Sequence, residues 1–307
     1  MADFMAEPPT TDDRKTGGLF VPMWWIFLCE AVKIGDVEET KKILLQINQC
    51  RLKDIINSID KNDVLKPLHL AAAQGSIGLM DFLISCGFSV QSTNLFGETP
   101  LHIACRLGHT EIVQYLIATG ADINSKDCGE YTSLFHAIKE KKPEVVKLLI
   151  QAGCDLDTLN EDLLSPMDQA VHDNQSDIVA LLLKGGCSIY KTRGYVYYLG
   201  HISNSIPFSL WASGDIDNLR LLLEAGYVIS YSQFEKMLQV SHILNLDEKY
   251  INELSQLLHQ PLSLQSACRG AIRRHLMKKQ ANTRTALDSL IKQLPLPGRL
   301  IDFVSIR

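Results

Sequence analysis

Thr99-Pro100-Leu101-His102-Ile103-Ala104, followed by Gly120-Ala121-Asp122-Ile123-Asn124, is the stretch that decides the fold. Pro100 has a fixed φ and no backbone donor, so it suits the first turn of a helix and no later one. Ala104 is small enough for a neighbouring helix to approach closely. Ile112, Val113 and Leu116 fall on one face of a second helix, three and four residues apart. Gly120 then suits a left-handed helix end. The stretch recurs: Gly87, Gly120, Gly153 and Gly186 are each 33 residues apart, and so are Pro67, Pro100, Ser133 and Pro166. A helix pair of this size cannot bury its apolar face alone, but stacked copies can. His69 and His102 recur at the same interval, which marks them as parts of the repeat rather than of a catalytic site.

A 33-residue period carrying Thr-Pro-Leu-His and Gly-Ala-Asp-Ile-Asn resembles the ankyrin repeat. The regular copies cover about residues 62–190. Ala31, Gly35 and Asp36 with Ile43-Leu44-Leu45 read as an irregular first copy. Gly214-Asp215 through Leu221-Leu222-Leu223 to Gly226 reads as a last one. Gly35 to Gly75 and Gly186 to Gly226 are both 40 residues, so extra residues are expected near Gln46 to Asn62 and Arg193 to Ser205. Lys141 and Asn174 stand where glycine ends the first helix, and Phe135 and Asp168 stand where histidine does. These exchanges cost local stability without threatening the fold.

The last 47 residues carry two further motifs. In the first, Leu264, Cys268, Ile272 and Leu276 are spaced by four and stack on one helix face, with Ser263 as N-cap. Each large side chain buried from that stripe contributes roughly 1.5–3 kcal/mol, enough in sum for an anchor. In the second, Leu294-Pro295-Leu296-Pro297, the prolines end one helix and start another. Leu300, Phe303 and Val304 share one side of the helix that follows. The segment resembles a SOCS box, with its elongin-binding box at 263–276 and its cullin box at 294–304. The resemblance implies an elongin site at Ser263, Leu264, Cys268, Ile272 and Leu276. It also implies a cullin-5 site at Leu294, Pro295, Leu296, Pro297, Leu300, Phe303 and Val304. Many family members end in Tyr-Leu where this chain has Phe303-Val304, a departure that implies a softer cullin contact.

Composition bounds the alternatives. The chain has 307 residues, 46% of them hydrophobic, and a formal net charge of −5. Residues 261–307 hold nine Lys/Arg against Asp288 and Asp302, a net +7 that leaves −12 for the remainder. No aromatic platform interleaves with the basic residues, so the tail does not read as a nucleic-acid site. The acidic remainder favours basic partners. Eight cysteines include no Cys-x2-Cys pair and follow the repeat, the pattern of reduced, mostly buried thiols in the cytoplasm or nucleus. Clustered metal ligands are absent, and no metal or cofactor is expected. The uncharged run Thr16 to Cys29 is too short to span a bilayer. It is expected to pack on the first repeat, with Trp24 and Trp25 covering the open end. No phosphate-binding loop, zinc-protease motif or nucleophile elbow is present, so no enzymatic activity is expected.

The ankyrin resemblance implies that partners bind the hairpin tips and the inner face of the first helices. That surface maps to Leu95, Phe96, Glu98, Arg106 and Leu107, then to Cys128, Tyr131, Lys139 and Glu140, then to Glu161, Asp162, Leu164, His172 and Asp173. Leu95, Phe96, Leu107 and Tyr131 stand out, because large apolar groups there suit a binding patch. Substrate contact is therefore expected at Leu95, Phe96, Arg106, Leu107, Tyr131, Lys139 and Glu140.

The expected architecture is all-α. A disordered segment over 1–18 precedes an ankyrin array of about six repeats over 19–228. Linking helices follow over 229–260, with a capping box at Ser232 and Glu235 and a helix from Asp247 to His259. A three-helix SOCS box closes the chain over 261–307. The resemblance implies the substrate-recognition subunit of a ubiquitin ligase, with elongins B and C, cullin-5 and its RING partner, and a protein substrate. The alternative is a non-catalytic ankyrin scaffold that binds elongins without assembling a ligase.

Overall fold

The computed structural model describes residues 23–46, 66–188, 206–225, 227 and 229. The segments 1–18, 46–62 and 193–205 fall wholly or almost wholly outside these residues, and so do the linking helices after residue 229. The elongin and cullin motifs lie outside them entirely.

Twelve helices and no strand occur among the described residues. The chain divides into two compact units, Met1–Gly129 and Glu130–Arg307. The first holds the pairs α1 (Met23–Ile34) and α2 (Val37–Gln46), α3 (Pro67–Gln74) and α4 (Ile77–Ser85), and α5 (Pro100–Leu107) and α6 (Thr110–Ala118). The second holds α7 (Ser133–Lys139) and α8 (Pro143–Gln151), α9 (Pro166–His172) and α10 (Ser176–Gly185), and α11 (Ile206–Ala212) and α12 (Ile216–Glu224). Within the first unit α1 packs on α3 and α3 on α5, while α2 packs on α4 and α4 on α6. The second unit repeats the scheme, α7 on α9 on α11 and α8 on α10 on α12. First helices thus meet first helices and second helices meet second, giving each unit two layers.

The starts of the first helices follow from their sequences. Pro67, Pro100 and Pro166 occupy the first turn, and the residue before each is extended. Ser133 takes the same place without a proline, and Thr132 is still extended at φ −90°, ψ 168°. Between the helix layers lie Leu101, Ala104, Ile112, Val113 and Leu116 in one unit, and Leu134, Ala137, Val146 and Leu149 in the other, all essentially inaccessible to solvent. Each of the larger ones contributes roughly 1.5–3 kcal/mol of burial.

The turns show where the units differ. After the first helix the backbone is left-handed, at Gly35 (φ 83°), Gly75 (φ 73°) and Gly108 (φ 84°) in one unit; in the other it is so at Lys141 (φ 54°) and Asn174 (φ 51°), and glycine returns at Gly214 (φ 75°). The hairpin tips repeat the contrast, with Gly97 at φ 73° but Glu130 at φ 61° and Leu163 at φ 59°. An L side chain in this region costs roughly 1–2 kcal/mol, somewhat less for asparagine.

The place of His102 is filled in three ways. His102 Nδ1 accepts from the Thr99 amide at 3.0 Å, which leaves the proton on Nε2 to donate to the Ser125 carbonyl at 3.1 Å. Asp168 accepts from the Ser165 amide at 2.9 Å and hydroxyl at 2.7 Å, and its own amide donates back to Ser165 Oγ at 3.1 Å. That reciprocal cap replaces the imidazole locally. Phe135 offers Thr132 no acceptor, and the Thr132 hydroxyl has no hydrogen-bond partner among the described residues.

Trp24 and Trp25 are not a cover laid over the first repeat. They belong to α1, the first helix of that repeat, because Trp25, Leu28, Cys29 and Val32 form its buried stripe. Trp25 stacks on Phe88 with centroids 6.1 Å apart, and Trp24 meets Trp25 edge-on at 5.7 Å.

Six cysteines fall among the described residues, and none is in a disulfide. Burial pushes the Cys154 thiol strongly upward, with the carboxylate of Asp155 adding to the shift, and burial also raises Cys86. The shift favours the protonated thiol at both, and most strongly at the fully buried Cys154. No helix among the described residues is long and apolar enough to cross a membrane.

Candidate protein-binding surface

The tip of the first unit is built on Asn94. Its side-chain oxygen accepts from the amides of Phe96 and Glu98, both at 2.9 Å, and its own amide donates to the Glu98 carbonyl at 2.9 Å. Gly97 closes the turn by donating to the Asn94 carbonyl at 3.0 Å. The Phe96 carbonyl accepts from the Cys128 amide at 2.9 Å, tying one tip to the next. Leu95 is 56% exposed and Phe96 71% exposed.

Glycine at 97 is required twice over. Its φ is positive, and a Cβ there would lie 2.9 Å from the Cys128 backbone nitrogen. That neighbour is backbone and cannot swing aside.

Arg106 and Leu107 close α5. Leu107 is 45% exposed, and half-buried Arg106 forms an ion pair with Glu98. Glu98 is itself buried, contrary to its expected place on the open face. The Asn94 amide group donates to its carboxylate at 2.7 Å and Arg106 supplies the counter-charge, which together offset its desolvation. Arg106 is thereby committed to the tip's own structure.

In the second unit Tyr131 is half-buried against Phe135, edge-on at 5.6 Å. The Lys139 ammonium lies 5.8 Å from its ring centroid, and its hydroxyl lies 3.5 Å from Asp162 Oδ2. Desolvation pushes the phenol upward, and the negative charge of Asp162 pushes the same way. Lys139 and Glu140 are exposed at the end of α7.

The third tip, Asn160–Leu164, copies the first in backbone and reverses it in chemistry. Asn160 Oδ1 accepts from the Leu164 amide at 2.9 Å, and the Leu163 amide donates to the Asn160 carbonyl at 3.0 Å. Glu161 and Asp162 are exposed where Leu95 and Phe96 stand in the first tip. Leu163 stands where Gly97 does, and it is 49% exposed. Sequence reasoning selected Leu164, which is half-buried, and passed over Leu163. The missed signal was a leucine in register with Gly97.

The structure therefore places Leu95, Phe96, Arg106 and Leu107 on the first unit and Tyr131, Lys139 and Glu140 on the second. It contains no constellation of nucleophile, base and orienting group at any of these positions. What the tips offer is exposed apolar surface on rigid turns, bordered by charge, and this suits protein contact.

The comparisons with known proteins agree with the repeat geometry. The family model described as ankyrin repeats (3 copies) matches residues 28–127 and again 126–193. The model of the SOCS box matches residues 260–305. No curated protein matches the chain.

Proposed function

As the chain belongs to the ankyrin repeat and SOCS box proteins, substrate receptors of elongin B/C–cullin ubiquitin ligases, we propose that its cullin is cullin-5 with the RING partner. The repeats hold the target protein, and the box holds the ligase. The observation that carries this reading is the joining of ankyrin repeats and a SOCS box in one chain. The Leu294-Pro295-Leu296-Pro297 form supports cullin-5 in particular.

Elongin C takes Leu264 and Cys268 into a pocket, with Ser263, Ile272 and Leu276 completing the site. Cullin-5 meets Leu294 to Pro297 and then Leu300, Phe303 and Val304. The substrate docks on the repeat surface, through Leu95, Phe96 and Leu107 beside Arg106 in the first unit, and through Tyr131, Lys139 and Glu140 in the second. Ankyrin repeats and SOCS boxes are non-catalytic adaptor modules. The chain thus supplies position and no chemistry of its own. It raises the effective concentration of substrate lysines beside a charged ubiquitin-conjugating enzyme, leading to ubiquitination and proteasomal degradation. The cysteines follow the repeat and include no Cys-x2-Cys pair, which supports a reducing compartment, cytoplasmic or nuclear.

The test is co-expression with elongins B and C, addition of cullin-5, and size exclusion, with a Leu264→Asp variant alongside. A stoichiometric complex that takes up cullin-5 and is lost in the variant is expected. Elongin binding that never admits cullin-5 would leave a scaffold, and absence of elongin binding would remove the ligase reading.

A further inference from the structure

Building on the reading that the repeats choose the substrate, we propose that the Asn160–Leu164 tip, with Tyr131, seats an extended partner segment. That segment presents a Leu- or Phe-class side chain flanked by Lys or Arg.

Three observations within the second unit carry this. The first is Leu163. The tip at 94–98 shows that the turn closes with glycine, yet here a leucine is held at φ 59° while 49% of it faces solvent. Its conformation is unfavourable for an L side chain, and the burial that would reward a leucine is half missing. A partner's apolar side chain laid on it supplies that burial.

The second observation is charge. Glu161 and Asp162 immediately precede Leu163 and are exposed. Their negative field reaches Tyr131, whose phenol is raised by desolvation first and then by Asp162 and Glu161. Such a rim attracts Lys and Arg and repels phosphate or acidic chain. The third observation is the Tyr131 ring, which already carries the Lys139 ammonium 5.8 Å from its centroid. An incoming guanidinium can displace that ammonium from the ring, because its planar cation stacks there over a larger area. The first tip, with Leu95 and Phe96 in place of the two carboxylates, has no such rim at those positions and would accept apolar segments with less regard to charge.

The experiment offers the intact chain a library of extended synthetic peptides. Each position draws on Lys, Arg, Asp, Glu, Leu, Phe, Ser and Gly. Enrichment of peptides that pair Leu or Phe with neighbouring Lys or Arg is expected. Leu163→Gly should weaken those peptides about tenfold or more, near 1.4 kcal/mol. Its melting temperature should stay level or rise, because the exchange relaxes the turn, so lost binding cannot be assigned to lost folding. Glu161→Gln with Asp162→Asn should weaken them too and flatten the salt dependence.

Enrichment of acidic or uncharged peptides, no enrichment, or indifference to Leu163→Gly would each overturn the proposal. Peptides held through Phe96 regardless of Leu163 would remove this site while leaving the repeat surface as the substrate face. Failure to bind elongins would remove the ligase reading while leaving the peptide result in force.

Discussion

The two units run the same 33-residue frame with different backbone economies. In the first, Gly75, Gly97 and Gly108 fill three of the left-handed turn positions. In the second, Glu130, Lys141, Leu163 and Asn174 fill four places of the same kind, and glycine returns at Gly214. The capping residue changes as well, from an imidazole that reaches Ser125 to a local carboxylate at Asp168 and a mute phenyl ring at Phe135. The cores do not change in kind, since both are layers of fully buried Leu, Ile, Val and Ala. Packing between helices thus sets the fold, and turn chemistry adjusts local stability within it. Repeat arrays tolerate this because each copy is stabilised mainly by its neighbours.

Changing the turn residues should move the units in opposite directions. The largest effect is expected from Gly97→Ala, which adds both the unfavourable φ and a Cβ against the Cys128 backbone. We expect a loss of about 2 kcal/mol or more, with faster amide hydrogen exchange confined to the first unit. Unchanged exchange there would show that the tip can yield and that glycine is not needed.

A smaller, opposite effect is expected from Lys141→Gly. Relief of the left-handed strain outweighs the added freedom of the unfolded chain by about 0.5–1 kcal/mol. Urea titration should show a higher midpoint at unchanged slope. A lower midpoint would mean that the Lys141 side chain earns its place by some other contact.

The smallest effect separates the caps. Burial raises the Asp168 carboxyl above its ordinary value, and the two hydrogen bonds from Ser165 only partly oppose this. The folded state therefore holds the proton more tightly than the unfolded state. The stabilising contribution is fully present below the unfolded pKa and is lost as pH rises through the folded one. Asp168→Asn should remove that dependence, so thermal melts of the two proteins should differ more at neutral pH than under mildly acidic conditions. Parallel melting curves across that range would contradict the raised carboxyl.

Much of this was legible in the sequence, because spacing is a direct record of stacking. The intervals of Gly87, Gly120, Gly153 and Gly186, with Pro67, Pro100 and Pro166, located the helix starts and turns that the structure contains. Leu95, Phe96 and Leu107 were also legible as exposed, since a tip position and a large apolar residue are both readable in one line of text. Glu98 was not. Its burial depends on Asn94 and Arg106 closing over it from two sides, and no periodicity encodes that. Leu163 escaped for another reason, because only the observed φ shows that a leucine has taken up a glycine's geometry. Trp25 was misplaced because an apolar run looks alike whether it caps a repeat or begins one. The stripe through Leu28, Cys29 and Val32 decides it.

The exposed thiol of Cys128 gives the first tip a practical use. Its amide is bonded to Phe96 and its sulfur lies 3.9 Å from the Leu95 carbonyl oxygen, while Cys29, Cys105, Cys154 and Cys187 are buried. It is the most open of the described cysteines, Cys86 being half-buried, so a Cys86→Ser background directs a maleimide to it in the folded chain. A photo-crosslinker or fluorophore attached there would sit beside the apolar tip without disturbing either helix layer. It would convert an unidentified binding partner into a covalent adduct whose masses can be read.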